Sequence, residues 1–122
     1  MFIYLASPYS AATPEEREQR FHQVCKKAAE LMLYGHQVFC PIAHSHPIEV
    51  HGMEGIQPGE FWLKQDFAIL KNCEIMYVYC LEGWEKSKGI IEEAKFCAAH
   101  NIPVMYMMPS GRIHGKALHA VK

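Results

Sequence analysis

Two carboxylates occupy positions from which a side chain can do chemistry. The segment SKGIIEE, Ser87 to Glu93, sets a glycine one helical turn before a glutamate. At about 100° per residue, with Ile90 as origin, Ile91, Ala94, Cys97 and Ala98 gather within about 60° of one direction and define the expected core face. Glu92 projects roughly opposite, into solvent, and Glu93 falls about 100° from the core direction, at the seam between packed and wet surface. With Gly89 bare one turn earlier, a ligand can approach the Glu93 carboxylate. The same seam suits a boundary salt bridge, and periodicity does not choose between the two. Asp66 raises a parallel question. It shares a helical segment with Phe61, Trp62, Leu63, Phe67, Ile69 and Leu70, so its charge is paired, exposed on a narrow strip, or functional, because burial without a partner is costly.

A second cluster lies in AHSHPIEVHGMEGIQPGE, which reads as a long loop rich in Gly, Pro and His; loops of that length are usually functional or mobile. His44, His46 and His51 invite a zinc-site reading, since an H-x-H spacing on an extended segment can put both rings on one side. The plainer readings are that His46 stacks on a ligand's base, or that the loop is solvated. Arg17 and Arg20 belong to the first helix, where they are either solvated or, for Arg20, within reach of a phosphate. Cys25, Cys40, Cys73, Cys80 and Cys97 are odd in number, widely spread and without a C-x-x-C pair, which is no disulfide framework; they read as small buried hydrophobes. Neither G-x-G-x-x-G nor G-x-x-x-x-G-K-[ST] follows the first strand, which disfavours a nicotinamide or ATP enzyme. There is no G-x-S-x-G elbow to make a nucleophile of Ser7, Ser10, Ser45 or Ser87.

Composition narrows the classes further. At 122 residues and 50% hydrophobic content, the chain has the size of one domain with one core, expected to span residues 1–122. Twelve Lys and Arg against thirteen Asp and Glu give a formal charge of −1, which removes the long-range pull toward nucleic acid polymers and anionic membranes. No apolar run approaches the roughly 18 to 20 residues of a membrane span. The N-terminal MFIYLASPYS lacks the basic start and cleavage site of a signal peptide, so a cytoplasmic location is expected.

Elements of both kinds must position these residues. FIYLA reads as a buried strand ending in the turn cluster SPYS. A helix follows with Thr13 as N-cap, Pro14 at its first position and Gly35 as stop, its apolar face formed by Phe21, Val24, Cys25, Ala28, Leu31 and Met32. QVFCPI is a second strand closed by Pro41. The helix from about Gly59 to Lys71 reads as well buried, EIMYVYCL as a third strand, GWEKSKG as a loop into a third helix ending near His100, and IPVMYM as a fourth strand. The tail from Pro109 carries no clear element signal and is expected to fray or dock on a neighbour. Strands alternating with helices imply right-handed parallel crossovers. The expected fold is therefore a three-layer α/β domain with a mainly parallel four- or five-stranded sheet, flavodoxin-like or Rossmann-like. Ligands bind such sheets at the carboxyl ends of the strands, which makes SPYS (Ser7, Pro8, Tyr9), the His-rich segment and GWEKSKG one rim.

Three motifs in order, IYLASPYS, KQDFAIL and SKGIIEE, resemble the nucleoside 2-deoxyribosyltransferase-like family, which includes 2'-deoxynucleoside 5'-phosphate N-hydrolases. Within it the chain is most similar to small bacterial and phage members. The resemblance covers about the first 105 residues; the HSHPI segment has no counterpart in the pattern.

The resemblance implies cleavage or exchange of the N-glycosidic bond of a 2'-deoxynucleoside or its 5'-monophosphate; no cofactor is expected, and no metal, because no Cys, His, Asp and Glu set outside the His-rich segment has ligand spacing. It implies Glu93 as nucleophile, Asp66 as the group that protonates or orients the base, and Tyr4 as the hydroxyl that positions Glu93. Ser87 and Gly89 fall on the small residues of the last motif, where Ser87 would cap the helix and help bind a sugar or phosphate oxygen. The glycosidic carbon passes through an oxocarbenium-like state that a carboxylate stabilises and captures, while a second acid assists the leaving base. A homo-oligomer, with a dimer as smallest unit, is expected because relatives complete their site with a neighbouring subunit. Two rival functions share the fold: a catalytically silent nucleotide-binding module and a metal-dependent hydrolase built on the His-rich segment.

Overall fold

The computed structural model describes residues 1–115. Its elements run β1 (Phe2–Ala6), α1 (Pro14–Leu33), β2 (Gln37–Phe39), α2 (Pro41–Gly52), α3 (Gly59–Leu70), β3 (Ile75–Tyr79), a short 3-10 turn (Trp84–Lys86), α4 (Lys88–Ala99), β4 (Val104–Met107) and β5 (Ile113–His114). The strands form one five-stranded sheet in the order β2-β1-β3-β4-β5. The first four are mutually parallel and β5 pairs antiparallel with β4. This is the flavodoxin-like order, in which the chain reverses direction between β1 and β3 and leaves a crevice at their carboxyl ends.

Strand β1 is central and covered on both faces, which is why it reads as an unbroken apolar run. Its side chains alternate. Tyr4 and Ala6 join Leu70, Met76, Val78, Ile90 and Cys97 in the core beneath α3 and α4. Leu5 joins Val24, Ala28 and Leu31 beneath α1. The three layers follow from this alternation.

Helix α1 is bounded by local chemistry. Thr13 Oγ1 accepts from the Glu16 amide while Glu16 Oε1 accepts from the Thr13 amide, a reciprocal capping box with Pro14 at the first position. At the far end Gly35 adopts φ +104°. That conformation lets the His36 and Gly35 amides donate to the Leu31 and Met32 carbonyls and close the helix.

Three expectations are corrected. The His-rich segment is a helix over Pro41–Gly52 instead of a loop. Pro41 starts it with a preset φ, but its inward face is Pro41, Ser45 and Glu49, a mostly polar stripe that hydrophobic periodicity does not register. Helix α3 is half exposed: only Asp66 and Leu70 are buried, and Phe61 is exposed. On α4 the buried positions are Ile90, Glu93 and Cys97 while Ala98 is exposed, so the core face is rotated toward Glu93. The projection put Glu93 at the seam between packed and wet surface; it is a core residue because a neighbour satisfies it. The tail after Pro109 contributes β5, and its remainder, residues 116–122, lies outside the described residues.

Candidate active site

The loops after β1 and β3 and the starts of α3 and α4 enclose a cleft of about 890 Å³ at the switch point of the sheet. Glu93 and Asp66 both line it. Glu93 is 6% exposed, and Tyr4, with no exposed surface, donates its hydroxyl to Glu93 Oε2 at 2.5 Å. That bond satisfies one carboxylate oxygen, and the other has no hydrogen-bond partner among the described residues of the cleft that Glu93 lines. Burial pushes the Glu93 carboxyl up to about 8; the Tyr4 hydrogen bond pulls it down, and the nearby Asp66 pushes it up again. Asp66 is raised to about 7 by burial alone and makes no hydrogen bond to another described residue. Tyr4 is held well above the ordinary phenol value, first by burial and then by the charges of Glu93 and Asp66, so it remains a donor.

The start of α4 forms a second wall. Ser87 caps the helix, its Oγ accepting from the Ile90 amide at 3.3 Å. Gly89 borders the cleft, and a Cβ built there meets only Ser87 Oγ, at 3.9 Å. Its own fold therefore does not require a glycine; a side chain would occupy cleft volume instead. Ser7, at the carboxyl end of β1, has a buried Oγ without a hydrogen-bond partner among the described residues, and it too lines the cleft. A buried hydroxyl in that condition is costly unless a ligand or solvent satisfies it.

The SPYSA loop is tied down from α1. Arg20 donates to the Ser10 carbonyl at 2.7 Å and to the Glu82 carbonyl at 3.1 Å, joining the loops after β1 and β3. Gly83 beside it has φ +88°, and its absent side chain lets the Arg20 guanidinium lie within 3.6 Å of the Cβ position. Arg17 donates to the Ala11 carbonyl. Both arginines border the cleft, and both spend part of their donor capacity on backbone.

Of the residues singled out from sequence, Ser7, Pro8, Tyr9, Arg20, Asp66, Ser87, Gly89 and Glu93 converge on this cleft. Tyr4 reaches it through Glu93. His46 does not line it: the ring is buried behind Tyr9, stacked on Phe21 at 4.3 Å. The helical path of α2 also separates the imidazoles, with His44 and His51 exposed and His46 buried, which undoes the one-sided H-x-H geometry. Among the described residues no group of three or more His, Cys, Asp or Glu is placed to hold a metal ion.

Sequence reasoning missed Glu49. Its carboxylate is buried and accepts from the Trp62 indole and the Gln57 amide, each at 3.0 Å, pinning α3 and the preceding loop to α2. The available signal was an i, i+4, i+8 polar stripe starting at Pro41. What the site can do chemically follows from its parts: a buried carboxyl oriented by a phenol, facing the same cleft as a second carboxyl, with burial raising both into the neutral range, can share one proton between a nucleophile and an acid and support displacement at an electrophilic carbon.

A family described as a domain of unknown function, DUF1937, matches residues 1–109. The chain belongs to the DUF1937 family. No curated protein matches it in sequence. Among solved structures, the DUF1937 chain is similar to a 2-deoxyribosyltransferase from the psychrotolerant bacterium Bacillus psychrosaccharolyticus, with a TM-score of 0.66 and 21% identity over 99% of this chain and 79% of the other. At that identity the likeness establishes the α/β fold. No helix among the described residues is long and apolar enough to cross a membrane.

The carboxyl shifts make a stability prediction. Asp66 has an ordinary value of 3.8 and a folded value of about 7. Between those values the folded state keeps a proton that the unfolded chain has released, so stability falls as pH rises through this window and levels off above it. Asp66→Asn removes that loss. Urea denaturation at pH 8.5 should find the variant more stable than wild type by an amount bounded at roughly 4 kcal/mol, and the advantage should be absent at about pH 4. An advantage independent of pH would place the effect elsewhere than in the titration.

Proposed function

We propose that this DUF1937 protein cleaves or exchanges the N-glycosidic bond of a 2'-deoxynucleoside or its 5'-monophosphate through a covalent glycosyl ester on Glu93. The observation that carries the reading is the pairing of Glu93, buried and held by Tyr4 at 2.5 Å, with Asp66, a second buried carboxyl without a hydrogen-bond partner among the described residues, in the same cleft. The fold shared with a 2-deoxyribosyltransferase supports it.

In the first step the free Glu93 oxygen attacks the anomeric carbon. The bond to the base nitrogen breaks, its electron pair stays with the base, and the Asp66 proton neutralises it. The cleft then holds a glycosyl ester and an ionised Asp66. In the second step Asp66 takes a proton from water, or from the nitrogen of an incoming base, as that nucleophile displaces Glu93. Both carboxyls return to their starting states. Tyr4 restricts the Glu93 carboxylate to one orientation, Ser87 and the bare Gly89 leave room and polar contacts for sugar or phosphate oxygens, and Ser7 offers the unsatisfied hydroxyl already described.

Three outcomes test this. Glu93→Gln cannot form the ester, so release of free base, followed by chromatography with the four deoxynucleosides and their monophosphates, should fall by about three orders of magnitude or more. Glu92 also borders the cleft and is half-buried instead of lying in solvent. Its carboxylate pairs with the exposed Lys95, so Glu92→Gln should stay within a few-fold of wild type; equal losses in the two variants would dismiss the nucleophile assignment.

The pH profile is the second outcome. An unperturbed carboxyl pair works best near pH 4, whereas the values of about 7 and about 8 here place the bell of kcat/KM between pH 7 and 8. An acid optimum would contradict the burial argument.

Assembly is the third. Ile56 on the cleft wall and Val50 and Phe61 on α2 and α3 are exposed, at 62%, 59% and 38%, apolar side chains that a second copy of the chain would cover. Light scattering at micromolar concentration should report at least a dimer, and a monomer would remove this part of the reading.

A further inference from the structure

A hydrogen-bonded chain that the reaction above does not use runs from the cleft wall to the outer face of α1. The Tyr9 hydroxyl, on the cleft wall, meets His46 Nδ1 at 2.5 Å, and His46 Nε2 meets Glu18 Oε1 at 2.7 Å. His22 engages the other oxygen of Glu18 at 3.1 Å. The imidazole is 6% exposed, stacked on Phe21 and met edge-on by the Tyr9 ring, so it has no freedom to turn.

The chain has a direction. Glu18 is held below the usual carboxylate range, chiefly by the His46 hydrogen bond, and an ionised carboxylate only accepts. The His46 proton therefore sits on Nε2. With the ring neutral, Nδ1 is a lone pair, and the Tyr9 hydroxyl donates to it. Burial raises Tyr9 above the ordinary phenol value, so the hydroxyl keeps the proton it donates. What remains facing the cleft is an oxygen with lone pairs only. Arg17, on the same wall, lowers the Tyr9 value by its charge and by a side-chain hydrogen bond to the Tyr9 oxygen; it offers donors only, so it takes one acceptor direction of Tyr9 and leaves the other for a ligand. A ligand hydroxyl can donate to Tyr9 while accepting from Arg17; a fully ionised phosphate has no proton to give and cannot use Tyr9.

We propose that Glu18 and His46 are positioning residues that fix Tyr9 as a hydrogen-bond acceptor, and that Tyr9 is a specificity-determining residue for a hydroxyl on the sugar of the ligand. The assignment of the ligand as a deoxynucleoside rests on the function proposed above; the polarity of Tyr9 does not.

The test uses the full chain at pH 8.5 and the carbocyclic 2'-deoxynucleosides of the four bases, which keep both sugar hydroxyls but have no cleavable glycosidic bond. Nitrogen NMR of the protein without ligand should find His46 as the Nε2–H tautomer. Glu18→Lys, at a half-exposed position, supplies a donor to Nε2 instead and should convert His46 to the Nδ1–H tautomer. In calorimetry, Tyr9→Phe should weaken the probe that wild type binds best by about fivefold, the scale of one neutral hydrogen bond. Glu18→Lys should weaken it comparably. The Tyr9→Phe penalty should vanish for the analogue lacking the 3'- or the 5'-hydroxyl, whichever one Tyr9 meets.

A wild-type His46 that is doubly protonated or carries its proton on Nδ1 overturns the proposal. So does a Tyr9→Phe penalty of equal size for every analogue, which would make Tyr9 only a staple between the loop and α2. Failure of all four probes to bind wild type removes the deoxynucleoside reading and the ligand assignment with it. The nitrogen spectrum, which needs no ligand, separates that failure from failure of the dyad.

Discussion

A carboxylate inside a protein core is tolerated only when another group satisfies it, and here that group is the hydroxyl of Tyr4. The bond from Tyr4 to Glu93 Oε2 joins the first strand to the last long helix. Its existence depends on the register of β1, because alternation sends Tyr4 toward α4 and Leu5 toward α1. A one-residue slip would exchange the two faces, set a phenol against α1 and leave Glu93 buried without a donor. Packing of the core and orientation of the site are in this sense one constraint. The same bond explains why Glu93 sits at the centre of the buried face of α4 and not at its edge.

The remaining walls of the cleft are held by charged groups used as ties. Arg20 spans the loops after β1 and β3, which are the two sides of the topological switch point, through the Ser10 and Glu82 carbonyls. Glu49 draws Trp62 and the Gln57 amide toward α2. Glu18, outside the cleft, acts through His46 on Tyr9. Each tie satisfies a loop backbone or ring that hydrophobic packing cannot reach, and each leaves the cleft side of its element free. Against these, Asp66 is buried with no bond to stabilise its charge. Stability is being spent there on a group whose only open direction is the cleft, a pattern that marks functional sites more often than structural ones.

Much of the fold was legible because its signals are local. Thr13, Pro14, Glu16 and Gly35 bound α1 by chemistry that needs no tertiary partner. The mainly parallel three-layer sheet needed only the alternation of β and α elements and the handedness of crossovers; these left flavodoxin-like and Rossmann-like orders open, and the observed order is β2-β1-β3-β4-β5. Helix α2 was not legible, since Pro47, Gly52 and two exposed histidines mimic a loop and its inward face is polar. The burial of Glu93 was missed for the same reason in another form: hydropathy assigns a carboxylate to solvent, and only the Tyr4 bond, across 89 residues of sequence, reverses that. His46 was placed on the ligand instead of behind Tyr9 because its partner Glu18 lies on a different helix. In each case the missing term is a pairing between polar groups distant in sequence, which periodicity cannot encode.

The two cleft carboxyls bear on how a site of this kind would reach its reactive protonation state. Their folded values lie within about one unit of each other, so near neutrality they titrate as a pair and neither holds a fixed share of the proton. Under the proposed reaction the ionised form belongs on Glu93 and the proton on Asp66. Positive charge developing at an anomeric carbon beside Glu93 favours the ionised form of that residue and moves the proton to Asp66, the group that must deliver it to the leaving base. The Tyr4 hydroxyl, already donating to Glu93 in the empty cleft, favours the ionised form of that residue. Under the proposed reaction the productive protonation state is then selected by the reacting sugar itself, which ties the acid and the nucleophile to a single event.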